Sequence, residues 1–154
     1  MDPNGSTIGN ETTVVLDSMV IAYALLGVRE FRDQAIRVIE AAKEIWVPDS
    51  CRAELVNIMW QWVQFRDVAL ETAIEVLWDA EALVTQVVPT PALWDQALAL
   101  AVEREHPAYD TLFVALAATK GTKVVTYDSG LIKKFPEYST DVPGFLHSES
   151  NPRR

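Results

Sequence analysis

The chain has 154 residues, 49% of them apolar and 23% charged, enough for one soluble domain with a single core and too polar for a membrane bundle. Its 13 basic and 22 acidic residues give a formal net charge of −9, which argues against attraction of nucleic acid by bulk surface charge. The single cysteine, Cys51, excludes an intrachain disulfide and fits a reducing, cytoplasmic setting.

The opening "MDPNGSTIGNE" has no basic segment followed by an apolar one, so it is not a secretory signal; residues 1–11 are expected to be a flexible extension. The apolar run from Met19 to Val28 is too short to span a bilayer. Thr12 to Leu16 predicts a short buried strand, Ser18 to Gly27 a helix, and Arg29 to Glu44 a second helix with Phe31, Ala35, Val38, Ile39 and Ala42 at helical spacing. Ile45 to Pro48 predicts a strand. Asp49 or Ser50 then caps a long helix with Leu55, Ile58, Met59 and Trp62 on one face.

Asp67 to Ala82 repeats the amphipathic pattern, and Leu83 to Pro89 predicts a strand. Thr90 is expected as an N-cap with Pro91 at the first helical position, and "AYDTLFVALAATKG" as an alanine-rich helix ended by Gly121. Lys123 to Thr126 predicts the next strand and Val142 to Leu146 a last short one, before a second flexible end at residues 147–154. Strands alternating with helices predict an α/β domain over residues 12–146 with a mainly parallel sheet.

Ligand sites in such sheets lie beyond the carboxyl ends of the strands. Asp17 and Asp128 both follow strands there, while Glu54 and Asp110 stand near helix starts at the edge of apolar stripes. Each acid has an ordinary explanation: Asp17 and Asp110 as helix caps, Asp128 as a turn residue, Glu54 as a half-buried carboxylate. Together the four form an unneutralised cluster, since like charges about 5 Å apart repel by roughly 3 kcal/mol at an effective dielectric near 20. Mg²⁺ or Mn²⁺, hard cations that prefer oxygen ligands, relieve that repulsion. Thr126 has a hydroxyl placed to serve one of the carboxylates. No G-x-G-x-x-G, Walker A, zinc-spaced Cys/His or G-x-S-x-G motif competes with this site.

The pieces "VVLDSMVIAY", "VPDSCRAELVNIMW", "AYDTLFVALA" and "VVTYDSGLIKKFP", in this order, resemble the PIN domain, the small nuclease fold of VapC-type toxins. The resemblance runs from Thr12 to Leu146. It implies a three-layer α/β/α domain with a parallel sheet of four to five strands in the order 3-2-1-4-5. It also implies an acidic pocket of Asp17, Glu54, Asp110 and Asp128, with Thr126 in support, that binds Mg²⁺ or Mn²⁺ and hydrolyses RNA with activated water. A homodimer and a small VapB-type antitoxin are the partners it implies. One departure stands at Met19, where many relatives carry a polar residue, often Asn.

Arg52, Lys133 and Lys134 flank the acidic motifs, either as phosphate contacts or as ordinary surface side chains. Trp46, Trp60, Trp62 and Trp78 belong either to a well-filled core or to an apolar partner surface. Beside the ribonuclease stand a non-catalytic module that binds RNA or protein, and a metal-dependent phosphoesterase acting on DNA or a small phosphate ester.

Overall fold

The computed structural model describes residues 12–27 and 29–151; the extension expected at residues 1–11 lies outside the described residues. The chain opens with β1 (Thr13–Leu16), α1 (Ser18–Leu26), α2 (Arg29–Ala41), β2 (Glu44–Pro48) and α3 (Ser50–Phe65). It continues through α4 (Leu70–Leu83), β3 (Gln86–Val88), a single 3-10 turn (Thr90–Ala92), α5 (Trp94–Arg104) and α6 (Ala108–Lys120). β4 (Val124–Val125), α7 (Ser129–Lys134), β5 (Ser139–Thr140) and α8 (Val142–Ser150) complete it.

All strand pairs are parallel, in the order β3-β2-β1-β4-β5. This is the 3-2-1-4-5 order that the motifs imply. The central strand β1 carries Val14, Val15 and Leu16, all at most 1% exposed. Successive residues of a strand point to opposite faces, so the burial of all three means that both faces are covered. α6 lies against β1, β2 and β4, with every residue from Thr111 to Ala117 buried, and α1 packs on α2, α3 and α4. Gly121 ends α6 at φ 64, a left-handed conformation that glycine adopts without a Cβ penalty.

Several boundaries differ from the sequence reading. α2 stops at Ala41 rather than Glu44, because the N–H groups of Lys43 and Glu44 turn to the carbonyl of Thr12 and start β2. Thr90 does not cap α5; it begins the 3-10 turn, and α5 starts only at Trp94. Val142 to Leu146 is helix, not strand. Asp141 accepts from the N–H of Gly144 at 2.6 Å and caps α8, with Pro143 in the first turn where a missing N–H costs nothing. The fifth strand is the preceding Ser139–Thr140, and α8 runs on to Ser150, into the expected flexible end.

The tryptophans divide between the two alternatives. Trp62 is buried with Leu55, Ile58 and Met59, whereas Trp60 and Trp78 are exposed. An apolar groove between α3 and α4, lined by Leu55, Val56, Ile74, Leu77 and Trp78, has a volume of about 410 Å³. Among the described residues no helix is long and apolar enough to cross a membrane.

Candidate metal centre

The register of the sheet builds one side of the site. Leu16 pairs with Val125, so the chain leaves β1 and β4 side by side. Asp17 donates its N–H to the carbonyl of Val125 at 3.1 Å, which carries the pairing one residue past the strand. Thr126, fully buried, donates its hydroxyl to Asp17 Oδ2 at 2.6 Å and accepts the N–H of Asp128 at 3.0 Å. One threonine thus fixes both strand-end acids. Asp128 also caps α7, its Oδ1 accepting from the N–H groups of Gly130 (2.8 Å) and Leu131 (3.1 Å).

Helix starts build the other side. α1 brings Ser18 against α3, where its hydroxyl donates to Glu54 Oε2 at 2.5 Å and lies 3.3 Å from Cys51 Sγ. Asp110, in the first turn of α6, meets His106 Nε2 through its Oδ2 at 2.8 Å. The four acids found in the sequence line one open cavity of about 770 Å³, with Ser18, Met19, Asn57, Ile58, Tyr109 and Tyr127. No lysine or arginine is among the described residues that line it.

Electrostatics follow from that arrangement. Burial lifts the Asp17 carboxyl above its ordinary value; the charges of Asp110 and Asp128 push the same way, against the bonds from Thr126 and from the backbone of Ser18. Burial also pushes Glu54 up, to about 7, helped by Asp17 and Asp110 and opposed by the Ser18 hydroxyl. Cys51 is pushed up to about 12, chiefly by burial, so it stays a protonated thiol and not a nucleophile. A cavity of four acids, two of them raised by burial and by their neighbours' charges, with no lysine or arginine among its described lining residues, suits a hard divalent cation held by carboxylate oxygens.

Sequence reasoning named Asp17, Glu54, Asp110, Asp128 and Thr126, and all five meet at this site. It missed Ser18 and His106. Ser18 follows Asp17 directly, and His106 stands four residues before Asp110 in the turn ahead of α6. It also offered Arg52 and Lys134 as phosphate contacts, and both are engaged within the chain: Arg52 pairs with Asp49 (3.0 Å) and with Glu81, and Lys134 donates to the carbonyl of Glu105.

Residues 14–137 match the family model of the PIN domain, most of the chain. The chain belongs to the PIN domain family. Ribonuclease VapC3 of Pyrobaculum aerophilum is 32% identical to this PIN domain over 130 residues, spanning 82% of this chain and 98% of that protein. The crystal structure of PAE2754 from Pyrobaculum aerophilum has a TM-score of 0.69 at 21% identity, covering 91% of this chain and 90% of that one. VapBC2 from Rickettsia felis, bound to a DNA fragment from their promoter, has a TM-score of 0.59 at 12% identity, covering 84% of this chain and 98% of that one. At those identities the two structures speak for the PIN fold alone.

Proposed function

We propose that this PIN domain is an endoribonuclease, the toxin of a toxin–antitoxin pair, which hydrolyses RNA phosphodiesters at the four-acid cavity with Mg²⁺ or Mn²⁺. The observation that carries the reading is the convergence of Asp17, Glu54, Asp110 and Asp128 on one cavity with no lysine or arginine among its described lining residues. The likeness to a relative named ribonuclease VapC3 supports the same reading. Asp17 and Asp110 would hold the metal directly, and Glu54 and Asp128 directly or through water. A bound divalent ion supplies positive charge against the phosphate and lowers the pKa of a water beside it.

The chain's own groups set the geometry. Thr126 locks the Asp17 carboxylate and the Asp128 backbone together, so two strand ends present their oxygens in a fixed relation. Ser18 holds Glu54 Oε2 and so fixes the carboxylate at the edge of the cavity. Water is the nucleophile in this reading, because the thiol of Cys51 is buried and protonated. Met19, in the place where many relatives have Asn, also lines the cavity and brings no hydrogen bond to the acids.

The partners in this reading are an RNA substrate, a second copy of the chain and a small VapB-type antitoxin in the cytoplasm. Exposed Trp60, Trp78 and Trp94 and the groove between α3 and α4 support protein partners, since apolar surface of this kind is what partners cover. The test is cleavage of end-labelled structured RNA with added Mn²⁺ or Mg²⁺ by the chain and by Asp17→Asn. Metal-dependent cutting that disappears in the variant is the expected result. Undiminished cutting by Asp17→Asn would overturn the assignment of the site, and binding without cutting by the unaltered chain would make it a non-catalytic module.

A further inference from the structure

One side chain beside the acids that is able to ligate a metal is not itself an acid. His106 sits in the turn between α5 and α6, its Nε2 at 2.8 Å from Asp110 Oδ2. One donor atom each from His106, Asp110 and Asp128 can be chosen so that all lie within 4.8 Å of one another.

The ring is held in place from several directions. Its side chain is 9% exposed and stands edge-on to the fully buried Phe135, with centroids 5.7 Å apart and an interplanar angle of 86°. The N–H of His106 donates to the carbonyl of Ala101 at 3.0 Å. Arg104 donates to the carbonyl of Lys134 at 2.8 Å and pairs with Glu137, while Lys134 reaches back to Glu105. These bonds tie the α5–α6 turn, which carries His106, to α7, whose cap is Asp128. A histidine just ahead of a helix can also simply pair with an aspartate in that helix's first turn, which accounts for His106 and Asp110 alone. Asp128, fixed by Thr126 and by its cap on α7, brings a third donor atom within reach of both.

We propose that His106, Asp110 and Asp128 form a mixed nitrogen and oxygen subsite that favours Mn²⁺ over Mg²⁺. The proposal rests on the divalent-metal reading of the cavity and deepens it. An all-carboxylate set suits Mg²⁺ well, whereas an imidazole nitrogen favours first-row transition metals. His106 would offer such an ion an imidazole nitrogen beside the Asp110 oxygen. Asp110 and Asp128 then belong both to this subsite and to the quartet, which couples ion choice to the geometry of the whole cavity.

The test uses the metal-free full chain and His106→Gln, with Mn²⁺ alone as the probe and Mg²⁺ as competitor. Pulsed electron paramagnetic resonance of bound Mn²⁺ reads a directly bonded nitrogen. The unaltered chain is expected to show nitrogen hyperfine coupling, and His106→Gln to lose it. The variant's Mn²⁺ affinity is expected to fall about 10-fold or more while its Mg²⁺ affinity changes less than about 3-fold. Bound Mn²⁺ without nitrogen coupling in the unaltered chain would overturn the proposal with no variant needed. An equal loss of both metals in His106→Gln would do the same. Failure of the unaltered chain to bind either ion would instead sink the divalent-metal reading, and this subsite with it.

Discussion

Ser18 Oγ donates to Glu54 Oε2 at 2.5 Å, a bond between the first residue of α1 and the second turn of α3. The hydroxyl lowers the proton affinity of a carboxyl that burial has raised to about 7. Replacing it therefore moves Glu54 further up and leaves its oxygen without a donor. Ser18→Ala is expected to weaken Mn²⁺ or Mg²⁺ binding near neutral pH by about 10-fold, the usual scale for losing a group that orients a metal ligand. Calorimetric titration of metal into the variant checks this, and an unchanged affinity would detach Glu54 from the metal.

Thr126 serves two acids with one hydroxyl. Thr126→Val keeps the shape but leaves Asp17 Oδ2 and the Asp128 N–H without this partner at a part-buried place. The expected cost is about 1–3 kcal/mol in urea unfolding, together with loss of most RNA cleavage. Thr126→Ser keeps both bonds and should retain both stability and cleavage. If the valine variant cuts RNA normally, the threonine supports the fold alone.

The metal-free protein should be more stable in mild acid than in mild base. Glu54 is raised to about 7 and Asp17 is raised in the same direction, chiefly by burial in both cases. The folded state thus keeps protons that the unfolded chain has released, so this contribution is complete below about 4.5 and fades as pH rises through about 7. Glu54 is partly solvated, which reduces its share to about 1–2 kcal/mol. Thermal melts between about pH 5 and pH 8 should show the decline, Glu54→Gln should flatten it, and added divalent metal should reverse it at the basic end. A metal-free protein that gains stability across that interval would contradict the burial of these acids.

Arg52 is held by Asp49 and Glu81 at an exposed site. Arg52→Ala is therefore expected to change RNA affinity by less than about 3-fold and to leave the melting temperature essentially unchanged. Filter binding at two salt concentrations measures it, because a true phosphate contact would lower the salt slope by about one. Lys133, exposed on α7, is the better candidate for such a contact.

The parallel sheet was legible because β1 and β4 are short apolar runs that stop at acids, and because α6 is bounded by proline and glycine. The four carboxylates were legible for the same reason, since strand ends and helix starts are places where sequence position fixes spatial position. Val142 to Leu146 misled because an apolar run of five residues fits strand or buried helix alike; the deciding signals were Asp141 as cap and Pro143 in the first turn. α7 escaped because six residues leave no periodicity to read. Ser18 and His106 escaped because their roles depend on which helix packs opposite, a tertiary fact that spacing along one helix does not carry.

The central strand of the sheet is made first and its neighbour β4 almost last, with Thr126 and Asp17 separated by 109 positions. A ribosome must therefore deliver most of the chain before the acids can be gathered, since domains fold only as their parts emerge. A chain that has not yet reached β4 lacks Thr126 and Asp128, and its four-acid cavity is incomplete. A product cut short before β4 leaves β1 with an open edge, a template for pairing with other chains. The order of the strands thus ties any hazard this protein carries to the completion of its own synthesis.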